Sequence, residues 1–328
     1  MPLVTPDYRA PRWLAGAQIQ TVFAAKVCKK PEVVYRRERW DTPDGDFTDV
    51  DWATPEAADP ETPIVVHFHG LEGSSRSHYA LALMHETVSR GWRGCVSLFR
   101  SCSGELNRSI KTYHAGDIDQ VQWVLETVRA RYPRAPIYAV GVSLGGNQLA
   151  LFCGKRVKTA KKLLTAAVSV AAPVDLVAGS NLLRFGFNRL YSKMFLDTLI
   201  PKVIKKCETM PEMRELVDEQ AIKHCKNFYD FDSLYTAPVH GFKSAMDYWT
   251  KASAKPWLKY VEVPLLLLNA KNDPFMPEWA LPTLEDVSEN VWLDQPEEGG
   301  HVGFPTGNPP GKIDYLPKRI FRFFLQRQ

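Results

Sequence analysis

A chain of 328 residues, 45% of them apolar, holds enough hydrophobic material for one large α/β domain with an insertion. Its formal charge of +4 is small for that length and the basic residues are dispersed, which argues against a nucleic-acid surface. Six cysteines (Cys28, Cys95, Cys102, Cys153, Cys207, Cys225) stand far apart with no C-x-x-C, which argues against a zinc ribbon or redox pair and points to a reducing, cytoplasmic setting.

The N-terminus, Met1 to Asp7, has no basic start followed by an apolar core, so no signal peptide is expected. No apolar run approaches the roughly 20 residues that span a bilayer. Residues 1–32 read as an N-terminal arm lying on the body of the fold, with Trp13, Leu14, Ile19, Val22 and Phe23 as its apolar contacts. Val33-Val34-Tyr35 with the charged residues after it, and Phe47 to Trp52, read as an edge hairpin across the turn Thr42-Pro43-Asp44-Gly45. Ala53 to Thr62 reads as a Pro- and Ala-rich loop. Pro63 to Gly70 is a strand of the kind buried on both faces, and it ends in Gly70-Leu71-Glu72-Gly73. The His67-x-His69 pair invites a metal reading, since side chains two apart share a strand face. No acidic ligand motif follows at metal-site spacing, so a histidine that holds the next loop by hydrogen bonds is the better fit, and no metal or cofactor is expected.

A helix over Tyr79 to Arg90, a strand over Gly94 to Phe99 and the loop Arg100 to Gly104 come next. Ile118, Val121, Val124, Leu125 and Val128 then recur at helical spacing, with Asp117 and Asp119 opposing the dipole in the first turn. This helix delivers the chain to Ile137-Tyr138-Ala139-Val140, an apolar strand that runs directly into Gly141-Val142-Ser143-Leu144-Gly145 and a further helix. A serine at a sharp strand-to-helix turn sits in a strained conformation, and a side chain two residues before or after it would collide, so Gly141 and Gly145 are required. The turn lifts the Ser143 hydroxyl clear of the sheet, beside the positive end of the helix.

Leu163 to Val170 is another buried strand. From 174 to 258 there is no strand signal, only helical stretches, which reads as a helical cap inserted above the serine. Within it Leu183, Phe187, Leu190, Tyr191, Met194, Phe195 and Leu199 form one apolar stripe, and Phe185, Phe187, Met194 and Phe195 are candidates to line a substrate chain. Packing on the body explains the stripe equally well. Strands over Val261 to Asn269 and Asn290 to Asp294 and a helix over Tyr315 to Gln326 close the chain. The β-α-β order implies a mostly parallel sheet flanked by helices, with a core of 33–173 and 259–328.

A serine needs a base within hydrogen-bond reach and a carboxylate to orient that base. Asp273, in Asn272-Asp273-Pro274, and His301, in Gly300-His301-Val302-Gly303, each sit in a loop just past a strand, and such loops converge at the carboxyl edge of a parallel sheet. The flanking glycines give His301 freedom to swing toward Ser143. Asp175 is a competing acid, and His114 and His240 are competing bases, though neither histidine follows a late strand. By the pattern of nucleophile-elbow enzymes, the backbone N–H groups of Leu71 and Leu144 would receive the oxyanion.

Taken together, Phe68-His69-Gly70-Leu71-Glu72-Gly73-Ser74, Tyr113-His114-Ala115-Gly116-Asp117, Gly141 to Asn147, Asn272-Asp273-Pro274 and Gly300 to Phe304 resemble the YheT-like branch of the α/β-hydrolases, as do Trp13-Leu14 and Gln18-Ile19-Gln20-Thr21 in the arm. The resemblance implies an α/β-hydrolase fold and a hydrolase of carboxylic esters of short to medium acyl chains or acyl lipids, with Ser143, Asp273 and His301 as its triad. It also admits acyl transfer to an alcohol, as in fungal relatives, phospholipid hydrolysis, as in animal relatives, and a binding protein that has kept only the fold. Ser101 and Ala17 depart from the branch's usual glycine and histidine, which leaves substrate size open.

Overall fold

The computed structural model describes residues 3–55 and 58–327; Met1 and Pro2 of the arm, Glu56 and Ala57 of the Ala53–Thr62 loop, and Gln328 lie outside them. The strands are β1 (Arg36–Asp41), β2 (Phe47–Ala53), β3 (Ile64–Phe68), β4 (Arg93–Ser97), β5 (Ile137–Val142), β6 (Ala166–Val170), β7 (Leu265–Leu268) and β8 (Val291–Asp294). They form one sheet in the order β1-β2-β4-β3-β5-β6-β7-β8. Pairing is parallel from β4 to β8 and antiparallel for β1 and β2.

Continuous apolar sequence is what a strand covered on both faces requires, and β3, β5, β6 and β7 are buried at every residue. Alternate residues of β3 divide between two cores. Ile64, Val66 and Phe68 pack with Val121, Val124 and Leu125 of α3 (Ile118–Arg131), whereas Val65 packs with Leu83 and Met84 of α2 (His78–Ser89) and with Phe321 and Phe324 of the C-terminal helix Tyr315–Leu325. The sheet therefore has helices on both faces.

The edge hairpin forms, but its first strand is the charged run Arg36–Asp41, and Val34 is 91% exposed. Cross-strand forks explain this. Arg37 grips Asp51 at 2.7 and 2.9 Å and Arg39 grips Asp49 at 2.8 and 2.9 Å, so this edge is held by paired charges that hydrophobic patterning does not register.

The arm departs further from expectation. In α1 (Ala17–Lys26) the buried side chains are Gln20, Thr21 and Ala24, while Ile19 and Val22 are exposed. Its polar face is the one that docks, for a reason visible at the site. Residues between β6 and β7 are helical, including α6 (Leu176–Leu182) and α7 (Asn188–Thr209), and the turn between these two breaks the expected apolar stripe at Leu183 to Phe187.

Candidate active site

Ser143 caps the start of α4 (Leu144–Lys155) with φ +54° and ψ −119°, a strained conformation for a side-chain-bearing residue. The glycines around it are demanded by close approach. A Cβ on Gly141 would lie 2.3 Å from the Gly145 carbonyl oxygen, and one on Gly145 would lie 2.5 Å from the carbonyl oxygens of both Phe68 and His69. The second clash is with β3 and not with the turn itself, so Gly145 also lets α4 seat against the neighbouring strand.

The three loops meet. His301 Nε2 is 3.0 Å from Ser143 Oγ, and its Nδ1 is 2.9 and 3.1 Å from the two oxygens of Asp273. The Asp273 side chain is fully buried, and its Oδ1 also accepts from the Phe275 N–H at 2.8 Å. Phe275 stacks on the imidazole at a centroid distance of 4.0 Å, which fixes the ring plane. The competitors are engaged elsewhere: Asp175 caps α6 by accepting from the Ala178 N–H at 3.0 Å, and the His114 and His240 rings lie 4.5 Å apart.

Sequence reasoning missed what holds the histidine loop, which is the polar face of the arm. Gln20 Oε1 accepts from Asn272 Nδ2 and from the Gly299 N–H, both at 3.0 Å, and Thr21 Oγ1 accepts from the His301 N–H at 2.8 Å. The approach is so close that a Cβ on Gly300 would meet the Ala17 carbonyl oxygen at 2.7 Å, and one on Gly303 the Gln20 carbonyl oxygen at 2.4 Å. These glycines therefore serve contact with α1. Gln20 and Thr21, adjacent polar residues between Ile19 and Val22, were the available signal. Gln20→Leu would leave the buried Gly299 N–H and the part-buried Asn272 amide unmatched, so we expect it to lower stability by about 2 to 4 kcal/mol, read as a lower urea midpoint; an unchanged midpoint would show that α1 does not brace this loop.

The loop after β3 is braced from three directions. His69 Nδ1 donates to the Gly70 carbonyl at 2.7 Å while its Nε2 accepts from the Phe99 N–H at 3.0 Å, which fixes a neutral tautomer. Tyr79 Oη accepts from the Gly70 N–H, and Tyr113 Oη accepts from the Glu72 N–H. Glu72, at φ +55°, is further tied to Lys202 of α7 at 2.7 Å. His67 Nδ1 lies 3.0 Å from the Val140 carbonyl. The result leaves the Leu71 and Leu144 N–H groups without a protein acceptor among the described residues. The loop runs so near the serine that a Cβ on Gly70 would stand 3.1 Å from the Ser143 Cβ.

Burial keeps several histidines here neutral: it pushes His67 down to about 3 and His69, His78 and His114 to about 4. An unfolded chain protonates these rings near 6.5 while the folded one resists until about 4, so stability is present above pH 6.5 and is lost as pH falls, by up to about 1.4 kcal/mol per unit per ring. Asp117 and Asp232, raised to about 6 by burial, oppose part of the loss. A lower urea midpoint at pH 5 than at pH 7 is expected; an equal or higher one would contradict it.

A cavity of about 130 Å³ opens onto Ser143, Leu71 and Leu144. Leu176, Leu183, Phe195 and Leu199 between β6 and β7 line it and share one hydrophobic cluster with Leu71 and Leu144. Of the four side chains expected against substrate, Phe195 lies there. Phe185, Phe187 and Met194 are outside the lining and are 68%, 55% and 55% exposed: the first two lie in the turn before α7 and Met194 on the outer face of that helix.

The α/β hydrolase fold model matches residues 63–307, which is most of the chain and contains all three loops. The chain belongs to the α/β-hydrolase family. Within it, the chain is 36% identical to YheT of Escherichia coli (strain K12), itself only a proposed esterase, over 94% of this chain and 90% of that one. It is 32% identical to the phospholipase ABHD3 of Mus musculus, over 99% of this chain and 79% of that one. Among solved structures, the Pyrococcus furiosus esterase Pf2001 superposes with a TM-score of 0.54 at 14% identity, covering 98% of this chain and 99% of that one, and so shares the fold. This α/β-hydrolase is of the esterase and lipase type. No helix among its described residues is long and apolar enough to cross a membrane.

Proposed function

We propose that the protein hydrolyses carboxylic esters of short to medium acyl chains through an acyl-enzyme on Ser143. The carrying observation is the 3.0 Å approach of His301 Nε2 to Ser143 Oγ, next to two unclaimed backbone amides. As Oγ bonds to the ester carbon, its proton passes to His301 Nε2, and Asp273 stabilises the imidazolium through Nδ1. The carbonyl oxygen, now negative, accepts from the Leu71 and Leu144 N–H groups, the latter at the positive end of α4. His301 then gives the proton to the leaving alkoxide, the C–O bond breaks, and the alcohol departs. A water repeats the sequence: it loses its proton to His301, attacks the acyl carbon, and Ser143 recovers a proton as the acid leaves. The helical segment 174–258 acts as a cap, and the apolar side chains of Leu176, Leu183, Phe195 and Leu199 suit an acyl chain.

Turnover of p-nitrophenyl esters from acetate to palmitate tests this. Hydrolysis with a maximum at short to medium chains is expected, and no hydrolysis of any member would reject the reading. Similarity to a phospholipase favours a second form of it, in which the ester belongs to a lipid; release of fatty acid from a dispersed phospholipid is the distinguishing measurement.

A further inference from the structure

The segment before and within the first turns of α7 is unusual in what it leaves in water. Phe185, Phe187, Leu190 and Met194 are all more than half exposed, and Ile19 and Val22 of α1 add to them at 52% and 43%. The two groups belong to one face: Gln18 Nε2 donates to Asn188 Oδ1 at 3.0 Å, and Tyr191 Oη donates to Gln18 Oε1 at 2.6 Å. Beside Leu190 lies a shallow depression lined by Arg189, Lys193, Lys223 and Lys226, with Asp197 its one acidic residue. Asp197 is paired with Lys193, and Lys223 pairs with Glu219, while Arg189 and Lys226 make no ion pair among the described residues. A contiguous apolar patch rimmed by charge marks an interaction surface.

We propose that this face docks the protein on a lipid bilayer carrying anionic headgroups, the apolar side chains entering the interface and Arg189 and Lys226 meeting the headgroups. A second copy fits less well, since a two-fold contact would set the same cations against each other. The face is also close to the chemistry. The buried side of the same turn places Tyr191 against Phe275 at 4.8 Å, Phe275 stacks on His301, and Asn188 Nδ2 donates to the Pro274 carbonyl at 2.8 Å. The proposal deepens the acyl-ester reading, by bringing the site to where acyl lipids are held, but docking itself is measured without turnover.

The test is co-sedimentation of the full chain with vesicles of phosphatidylcholine mixed with phosphatidylglycerol, and of phosphatidylcholine alone. We expect partition to the anionic vesicles at least about tenfold above that to neutral ones, weakening with salt. Ile19→Ser/Phe185→Ser/Leu190→Ser, and separately Arg189→Glu/Lys226→Glu, should each lower it at least about tenfold while retaining the circular dichroism spectrum and turnover of p-nitrophenyl acetate. Absence of vesicle binding by the parent protein, binding by both variants as strong as the parent's, or a dimer in gel filtration that the triple variant dissolves without any vesicle binding would each overturn it. Vesicle binding by a protein that hydrolyses no ester would reject the hydrolase reading and leave the docking face standing.

Discussion

Ser143→Ala lowers kcat/KM for p-nitrophenyl ester hydrolysis by at least about 10⁴-fold, because loss of the nucleophile removes the covalent route and leaves only positioning and the oxyanion amides. The fold should persist. Gly141 and Gly145 are required by backbone contacts, which the substitution leaves untouched, and among the described residues the only side-chain bond lost is the one to His301. A circular dichroism spectrum matching the parent, with turnover reduced to background, is the expected pair of results. Turnover within tenfold of the parent would mean that ester cleavage occurs elsewhere.

Asp273→Asn is expected to cost about 10⁴-fold in kcat with little change in KM. The reason lies in the second bond of the carboxylate. Oδ1 accepts from the Phe275 N–H, so an asparagine keeps its oxygen there and turns its NH₂ toward His301 Nδ1. Nδ1 must then be an acceptor, the ring proton moves to Nε2, and Nε2 can no longer take the proton of Ser143. Steady-state kinetics with a short ester measures this. A loss in KM alone, with kcat intact, would show that Asp273 shapes the binding site and does not orient the base.

The loops of Ser143, Asp273 and His301 were legible because each carries a local constraint that only certain residues meet: a glycine-flanked serine after a buried strand, and an acid and a histidine in loops past later strands. Parallel topology then brings the loops to one edge. What was not legible depends on contacts between distant segments. Gln20 and Thr21 look like interruptions of an amphipathic helix until the His301 loop is set against them, and then they are the reason α1 docks by its polar face. The first strand was expected, but centred on Val33 to Tyr35; it lies instead on the charged residues that follow, where Arg37 and Arg39 pair with Asp51 and Asp49. Phe185, Phe187 and Met194 show the converse error. Hydrophobicity made them candidates to line the cavity, and the turn before α7 and that helix's outer face put them in water.

Mass spectrometry after brief exposure to a fluorophosphonate asks most directly whether Ser143 is activated. The reagent bonds to a serine Oγ only when a base takes its proton, as fluoride leaves. A single adduct on the peptide containing Ser143, absent from Ser143→Ala and strongly slowed in Asp273→Asn, is the predicted result. An unlabelled parent protein, or an adduct on another residue that survives Ser143→Ala, would contradict it.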